Sequence, residues 1–589
     1  DQEEDRKRYS DKIINSPAKK KIIVAGAGTG KTFTFKELLK GKNGNALALT
    51  FINNLADDLK EDLDGLAESQ TFHGYCKKLL HRAPFSGINA NFHFFPKLPK
   101  IIESDEQILF GTKSNFDEAF QCLIEDDGRI DFYIDRANFY NAVGFNDSVY
   151  RILQYFKSGS GEPPPYEQVV IDEFQDFNRL EVAFIEELEK VNPILIVGDD
   201  DQAIYDKKNA TPDFIRTKAK NPEYERFELP YCSRCTKVIV DAVNDVIAHA
   251  KANGNLADRV DKMYVCYLPD KLQDSLNYPK IIHAKCSVQR KNAPYIPQYI
   301  EKEIQEIPKE EIDLANEKRY PCVLIIGPSY YLSQINEFLV DRNYKVDYKM
   351  KNKENLHILD GYKILLKDRE SNLGWRIILE FDNVKNMDDI IGTTNTYQVD
   401  IVEQLPEIYK EKHEKVIDLL NCLKGNTVSI EEQNELKNII GLDLNEIKAR
   451  LEIKEENENN TSLNTDLQDN TQLSIKLTTY HGSKGLSGGV VFIVGLNDGT
   501  FPRTPGSPSD YEVCQFIVAL TRARKKCYLI SNKKFGGSRR LRHSTFIDWI
   551  DSSKLSIVEV NREYFPNFPF GHKVRKGRAH SYSRRGDQN

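Results

Sequence analysis

Residues Ile22-Ile23-Val24-Ala25-Gly26-Ala27-Gly28-Thr29-Gly30-Lys31-Thr32 pass from an apolar run into a glycine-rich turn and then a helix-forming stretch. Backbone N–H groups in such a turn converge on a phosphate. Lys31 can reach the β and γ oxygens, and the Thr32 hydroxyl suits Mg2+. The strict pattern has glycine where Ala25 stands, so the match leans on Lys31-Thr32 in register. A second apolar run, Val169-Val170-Ile171, delivers Asp172 and Glu173 at its end. That is where ligands bind in open α/β sheets, with Asp172 placed for the metal shell and Glu173 to deprotonate an attacking water. Together the two clusters imply hydrolysis of a nucleoside triphosphate, with ATP and Mg2+ as the expected ligands.

The elements that must position these groups are short apolar runs: Lys21–Ala25, Ala46–Thr50, Gln168–Asp172, Pro193–Asp199, Cys322–Gly327, Leu473–Thr478, Val490–Gly495 and Lys526–Ser531. Most lack polar alternation, which predicts parallel strands covered on both faces. Amphipathic stretches such as Thr32–Leu39 and Glu181–Lys190 lie between them, so the fold class is α/β with an early and a late group of strands. The chain has 589 residues, 40% hydrophobic and 29% charged, enough for about four domains. Fibrous, wholly disordered and disulfide-miniprotein classes are excluded. No apolar run approaches the ~20 residues of a membrane span, and Asp1–Arg8 has no apolar stretch, so a cytoplasmic chain with reduced cysteines is expected. Cys232 and Cys235 have half a zinc spacing with no second pair nearby. The formal charge of −7 excludes a wholly basic nucleic-acid coat but allows a local basic groove.

Further polar clusters follow strand ends: Gly198-Asp199-Asp200-Asp201-Gln202-Ala203-Ile204-Tyr205, Thr479-Tyr480-His481-Gly482-Ser483-Lys484-Gly485-Leu486 and Ala519-Leu520-Thr521-Arg522-Ala523-Arg524. With Thr50-Phe51-Ile52-Asn53-Asn54, Thr71-Phe72-His73-Gly74-Tyr75 and Ser233-Arg234-Cys235, they stand in the order found in the UvrD/Rep-like superfamily 1 DNA helicases, which the chain resembles from Ala25 to about Ser531. The resemblance implies two RecA-like parallel-sheet lobes of the P-loop NTPase type with two mainly helical accessory insertions. The expected first lobe is 1–76 and 164–222, with an insertion at 77–163. The second is 223–350 and 473–550, with a small insertion and acidic, Asn-rich linker at 351–472. An extension with a basic tail follows at 551–589.

The resemblance also implies roles. Ala25 through Phe33 line the nucleotide, Lys31 and Glu173 act in hydrolysis, Gln202 senses the γ-phosphate, and Arg234 and Arg522 serve as arginine fingers. Thr32 and Asp172 hold Mg2+. Phe51, Asn53, Phe72, His73, Tyr205, Lys207, Tyr480 and His481 are the expected DNA contacts; the rings suit stacking on unpaired bases at ~1–3 kcal/mol each. Lys207 stands where the family has Trp, replacing a stacking surface by charge. Four adenosine-reading positions change together: no Gln occurs in Tyr9–Asn15, and Phe33, Ser233 and Ser487 occupy the other three. Poor reading of the base is expected, unless Phe33 or Tyr231 stacks on it. The implied activity is 3′ to 5′ movement on single-stranded or tailed duplex DNA, with repair and antiviral defence as settings. Alternatives are an ATPase subunit firing a partner nuclease and a weakly active DNA-binding module.

Overall fold

The computed structural model describes residues 1–42, 45–50, 63–82, 88–204, 208–291, 293–348, 355–382, 384, 386–425, 427–452, 472–537 and 539–566. Phe51, Asn53, Tyr205, Lys207, the linker at 453–471 and the basic tail beyond 566 lie outside the described residues. The chain divides into two units, 1–233 with 257–269 and 350–469, and 234–256 with 270–349 and 470–589.

In the first unit, β1 (Lys20–Val24), β2 (Ala46–Thr50), β3 (Glu68–Thr71), β4 (Gln168–Ile171), β5 (Ile194–Gly198) and β6 (Glu225–Phe227) form one sheet. Its order is β3-β2-β4-β5-β1-β6, with every pair parallel. The pleat explains the unbroken apolar runs. Ile22, Val24, Leu47, Leu49, Val169 and Ile171 enter one core, while Ile23, Ala25, Ala48, Val170, Leu195 and Val197 enter another on the opposite face. Helices α1 (Gln2–Asn15) and α2 (Lys31–Leu39) cover the second face through Ile13, Phe35, Leu38 and Leu39.

The expected lobe boundary at 222 is corrected. Glu225, Arg226 and Phe227 pair with Lys21, Ile22 and Ile23, so the first lobe runs to Ser233, and residues 257–269 return to it. In the second unit, β7 (Ile281–Cys286), β8 (Val323–Ile326), β9 (Val346–Asp347), β10 (Ile475–Thr478), β11 (Gly488–Ile493), β12 (Ala523–Asn532) and β13 (Leu555–Val560) form a parallel sheet ordered β9-β10-β8-β11-β12-β7-β13. β13 corrects the extension expected from 551, because Leu555–Val560 is paired along its whole length with β7. Its alternating exposure, with Ile557 exposed, is that of an edge strand and leaves no continuous apolar run to read.

Both insertions are helical, as expected. Their buried residues, among them Ile101, Phe120, Tyr133, Trp375, Ile378 and Leu420, share one core with the first sheet's Ile22 face. An ionic cluster lies inside it. Asp105, on helix Leu98–Phe110, receives Arg136 Nη2 at 2.8 Å and Arg376 Nε at 2.7 Å, and all three side chains are buried. Arg376 belongs to the second insertion and also donates to Ser104 Oγ at 2.9 Å and Glu380 at 2.8 Å. No helix among the described residues is long and apolar enough to cross a membrane.

Removing one member of a buried ion cluster strands the others without a counter-charge, typically at 3–5 kcal/mol. Asp105→Ala, which leaves buried Arg136 without its carboxylate and Arg376 with Glu380 alone, should lower unfolding free energy by about that amount in urea titration. Replacing Asp105, Arg136 and Arg376 together by apolar residues should cost far less.

Candidate nucleotide site

The phosphate loop follows from β1 without a break. Ala25 is buried and its N–H donates to Gly198 O at 3.1 Å, which continues the β1–β5 ladder by one residue. An alanine therefore serves where the strict pattern has glycine, since this position directly follows β1 and its φ is not in the left-handed region. Gly30 caps α2 with φ of 87°, a conformation that favours glycine. Thr29 Oγ1 donates to Gly26 O at 2.9 Å, and Lys31 Nζ curls back to Ala25 O and Gly26 O at 2.9 and 2.8 Å. The first turn of α2 thus presents Lys31 and Thr32 beside the loop, at the positive end of the helix dipole.

Asp172 and Glu173 stand at the end of β4. Asp172 is buried and its Oδ1 accepts the Glu173 N–H at 2.9 Å. Glu173 itself has φ of 55°, a left-handed conformation costly for a residue with a side chain. Its carboxylate is tied in place: Gln175 Nε2 donates to Glu173 Oε2 at 2.6 Å, and Gln175 Oε1 accepts the Asp199 N–H at 3.0 Å. Gln202 Nε2 then donates to Asp199 Oδ2 at 2.6 Å. A continuous relay, Glu173–Gln175–Asp199–Gln202, joins the ends of β4 and β5.

Asp199, Asp200 and Asp201 are all buried. Lys262, on the returning segment 257–269, is 1% exposed and places Nζ at 3.1, 2.6 and 2.8 Å from the three carboxylates in turn. Arg259 grips Asp201 with two hydrogen bonds of 2.7 and 2.9 Å, and Arg216 meets Asp200 at 3.0 Å. Burial drives the carboxyls up, but Lys262 overcomes it at Asp199 and Asp200, which lie below the ordinary carboxylate range. The same segment then crosses the phosphate loop. Tyr264 Oη donates to Ala27 O at 3.0 Å, and its ring leaves no room for a Cβ at Gly26, the nearest atom being 2.5 Å away.

A cavity of about 460 Å3 opens beside Thr29 and Gly30, lined by Arg6, Tyr9, Ser10, Phe33, Tyr231 and Tyr267 among others. The Arg6 guanidinium lies 4.3 Å from the Tyr267 ring centre, Tyr231 Oη donates to Asp5 at 2.7 Å, and Phe33 is exposed. Ser233, one of the four changed positions, instead holds the phosphate loop through N–H to Gly28 O at 3.0 Å. Both rings named as candidates for stacking, Phe33 and Tyr231, do line this cavity.

Two of the expected DNA contacts are corrected. Phe72 is fully buried, with its ring edge-to-face against Phe177 and Phe184, because Thr71 caps the helix Phe72–Leu80 and turns the next residue inward. Tyr480 is buried and stacks on Phe501, ring centres 4.3 Å apart. Neither ring offers a face to a base. His73 remains partly accessible beside Phe145 and 3.6 Å from Glu181; burial and the Lys208 charge lower its pKa to about 4, so its imidazole is neutral near pH 7. His481 pairs with the Tyr511 hydroxyl.

In the second unit, Arg522 is buried and donates to Val518 O and Leu486 O at 2.9 and 3.1 Å. Arg234 is half-buried at the foot of helix Lys237–Ala252. Arg524 stacks on Tyr320 at 4.3 Å and donates to Ser487 Oγ; burial, then the Arg234 charge, lowers its pKa.

Gln175, Arg259, Lys262 and Tyr264 were not singled out from the sequence. Gln175 lies inside a recognised motif, but the other three follow a long helix with no local signal. Replacing Lys262 by Met should leave three buried carboxylates short of a cation. The expected loss is about 3–5 kcal/mol of first-unit stability in urea unfolding, and Lys262→Arg should lose less.

Two families match the chain: one described as "AAA domain" over residues 11–208, and one described as "UvrD-like helicase C-terminal domain" over residues 348–534. The chain is 25% identical to a probable DNA helicase II homolog of Mycoplasma capricolum, over 86% of this chain and 81% of that one. It is 24% identical to the ATP-dependent DNA helicase PcrA of Staphylococcus aureus and to that of Staphylococcus epidermidis, in each case over 91% of this chain and 84% of the other. With both family matches in order and relatives matched along most of its length, the chain belongs to the UvrD/Rep-like superfamily 1 DNA helicases.

Proposed function

We propose that the chain is an ATP-dependent DNA helicase that moves 3′ to 5′ along single strands in the cytoplasm, and that Lys31, Glu173, Gln202, Arg234 and Arg522 carry the hydrolytic step. The observation that supports this most is the relay Glu173–Gln175–Asp199–Gln202 beside the phosphate loop. It ties the group placed to take a proton from water to the group placed to sense the γ-phosphate.

The donor set fits Mg2+: Thr32 offers a hydroxyl in the first turn of α2, and Asp172 a buried carboxylate at the end of β4. When bound, the ion supplies charge neutralisation at the β and γ oxygens. Lys31 adds a second positive charge there. Glu173 takes a proton from the water whose oxygen attacks the γ-phosphorus as the bond to the ADP oxygen breaks, and Gln175 holds that carboxylate in its strained position. Arg234 and Arg522 would stabilise the charge on the transferring phosphoryl group, a contribution of about 10³–10⁵ in rate in other NTPases. His73, His481 and, outside the described residues, Phe51, Asn53, Tyr205 and Lys207 are the proposed DNA contacts.

Lys31→Ala should lose nucleotide affinity and DNA-stimulated hydrolysis together. Glu173→Gln should bind ATP and hold DNA but turn over slowly. Gln175→Leu should lower kcat by about 10–100-fold with little change in the KM for ATP, since it acts through Glu173. Steady-state hydrolysis with and without single-stranded DNA separates these, and near-wild-type turnover in Glu173→Gln would overturn the assignment. Stopped-flow displacement of labels from 3′- and 5′-tailed duplexes tests direction.

The cavity beside Thr29 offers ring and guanidinium faces without the family's reading Gln. Stacking tolerates every base, and one or two lost hydrogen bonds at ~0.5–1.5 kcal/mol leave about tenfold discrimination. GTP, CTP and dATP should support DNA-stimulated hydrolysis within about tenfold of the kcat/KM for ATP. A hundredfold preference for ATP would show that the Ser10, Glu3 or Asp11 side chains lining the cavity read adenine.

A further inference from the structure

The second sheet is parallel throughout, so the carboxyl ends of its strands lie along one edge. The segment Thr479–Leu486 leaves that edge from β10. Three to four strand spacings away, about 14–19 Å, β12 and β7 end in a cavity of about 430 Å3. Its lining carries Lys285, Lys533, Arg540, Arg542 and His543 against one carboxylate, Glu559. Such concentration is unexpected in a chain whose net charge is −7.

We propose that this cavity binds phosphodiester groups of the DNA strand, as a contact separate from the helicase motifs, resting on the DNA-helicase reading above. The charges are set there by the fold. Lys285 sits on β7 between Ser531 and Glu559 in the neighbouring strands. Leu541 N–H donates to Lys533 O at 2.8 Å, and Arg542 O accepts the Asp498 N–H at 3.1 Å, which folds the 533–543 segment back over the strand ends. Glu559 is answered by Lys533 at 3.3 Å, and Arg542 by Asp548 at 2.9 Å. Lys285 and Arg540 form no ion pair among the described residues, and both line the cavity.

His283, two residues before Lys285, is buried with Nε2 against Ser531 Oγ at 2.9 Å; burial first, then the charges of His543 and Lys285, lower its pKa to about 3, with Asp548 opposing. The ring in the lining, the His543 imidazole, is held by Asp548 at 2.7 Å and packs edge-to-face with His283, which favours backbone phosphate over a stacked nucleoside. The site is open to solvent through the exposed Lys533, Arg540 and Arg542, as a continuous strand requires.

Phosphate contacts are read by salt. Each contact to a single strand contributes about 0.7 to the slope of log K against log salt, so Lys285→Gln with Arg540→Gln should flatten the slope by about 1.4. From 50 to 200 mM salt, wild-type affinity should then fall about sevenfold more than that of the double variant. Fluorescence anisotropy on a labelled oligonucleotide, with thermal melting as the folding control, measures it. Should the double variant melt early, each single variant is expected to lose about 0.7, Arg540→Lys should retain the slope, and Lys318→Gln, on another surface, should leave it unchanged. An unaltered slope in folded variants overturns the proposal. So does an unaltered slope accompanied by lost binding of inorganic phosphate in calorimetry, which would make the ligand a free phosphate. Wild-type DNA binding and DNA-stimulated hydrolysis report separately on the helicase reading, so the two failures are distinguishable.

Discussion

Three adjacent carboxylates buried at the end of β5 set the terms for the rest of the nucleotide site. Stripping water from Asp199, Asp200 and Asp201 costs several kcal/mol per charge, and mutual repulsion adds to it. The sheet cannot answer that charge from its own strands. Lys262 and Arg259 do, and both lie on a segment that leaves the first lobe at Ser233 and returns for residues 257–269. Once drawn in by charge, that segment also lays Tyr264 on Gly26 and brings Tyr267 to the cavity beside the phosphate loop. One electrostatic requirement therefore fixes the Asp199–Gln202 segment, the loop and one wall of the cavity beside Thr29 together. It also leaves Asp199 free to accept from Gln202 and, through its N–H, to hold Gln175 and hence Glu173.

The helical insertions obey the same logic at a second place. An apolar core alone would hold Leu98–Phe110 against Asn372–Phe381 in several registers, since aliphatic ridges slide at little cost. Asp105, which accepts from Arg136, Arg376 and Tyr140 at once, is met by all three only in the observed pairing. A buried ion cluster adds little net stability over an apolar replacement, while breaking it by removing one member is costly.

What was legible in the sequence follows from which interactions are local. The phosphate loop, the Asp172-Glu173 pair and eight strands each depend on a dozen residues or fewer, and all eight runs became strands. β3, β6 and β13 were missed because edge strands keep one face or one ladder in water and need no continuous apolar run. β7 was missed although it is internal, since His283 and Lys285 interrupt its apolar pattern. The rings of Phe72 and Tyr480 stand at strand-to-loop junctions, where a core residue and a base contact look alike in sequence; only Phe177, Phe184 and Phe501, distant in the chain, decide for the core. Lys262 was invisible for the same reason, its meaning lying sixty residues away.

The site divides its work between backbone and side chains, and the division explains which departures from the family the chain tolerates. Under the proposed function phosphate is gripped by N–H groups of the loop and the first turn of α2, which any sequence with the right φ values supplies; Ala25 can stand for glycine because its φ is not in the left-handed region. The cavity beside Thr29, by contrast, is lined by Arg6, Tyr9, Phe33, Tyr231 and Tyr267, so what it would read depends on side chains. Substitution there alters what is read without disturbing what is hydrolysed, since no hydrogen bond of the Glu173–Gln175–Asp199–Gln202 relay passes through the cavity wall. Ser233 shows the coupling that does exist. By giving its N–H to Gly28 O it supports the phosphate loop from the very position where the family has an aromatic ring, so under the proposed function base reading falls to the neighbouring rings while the loop keeps its scaffold.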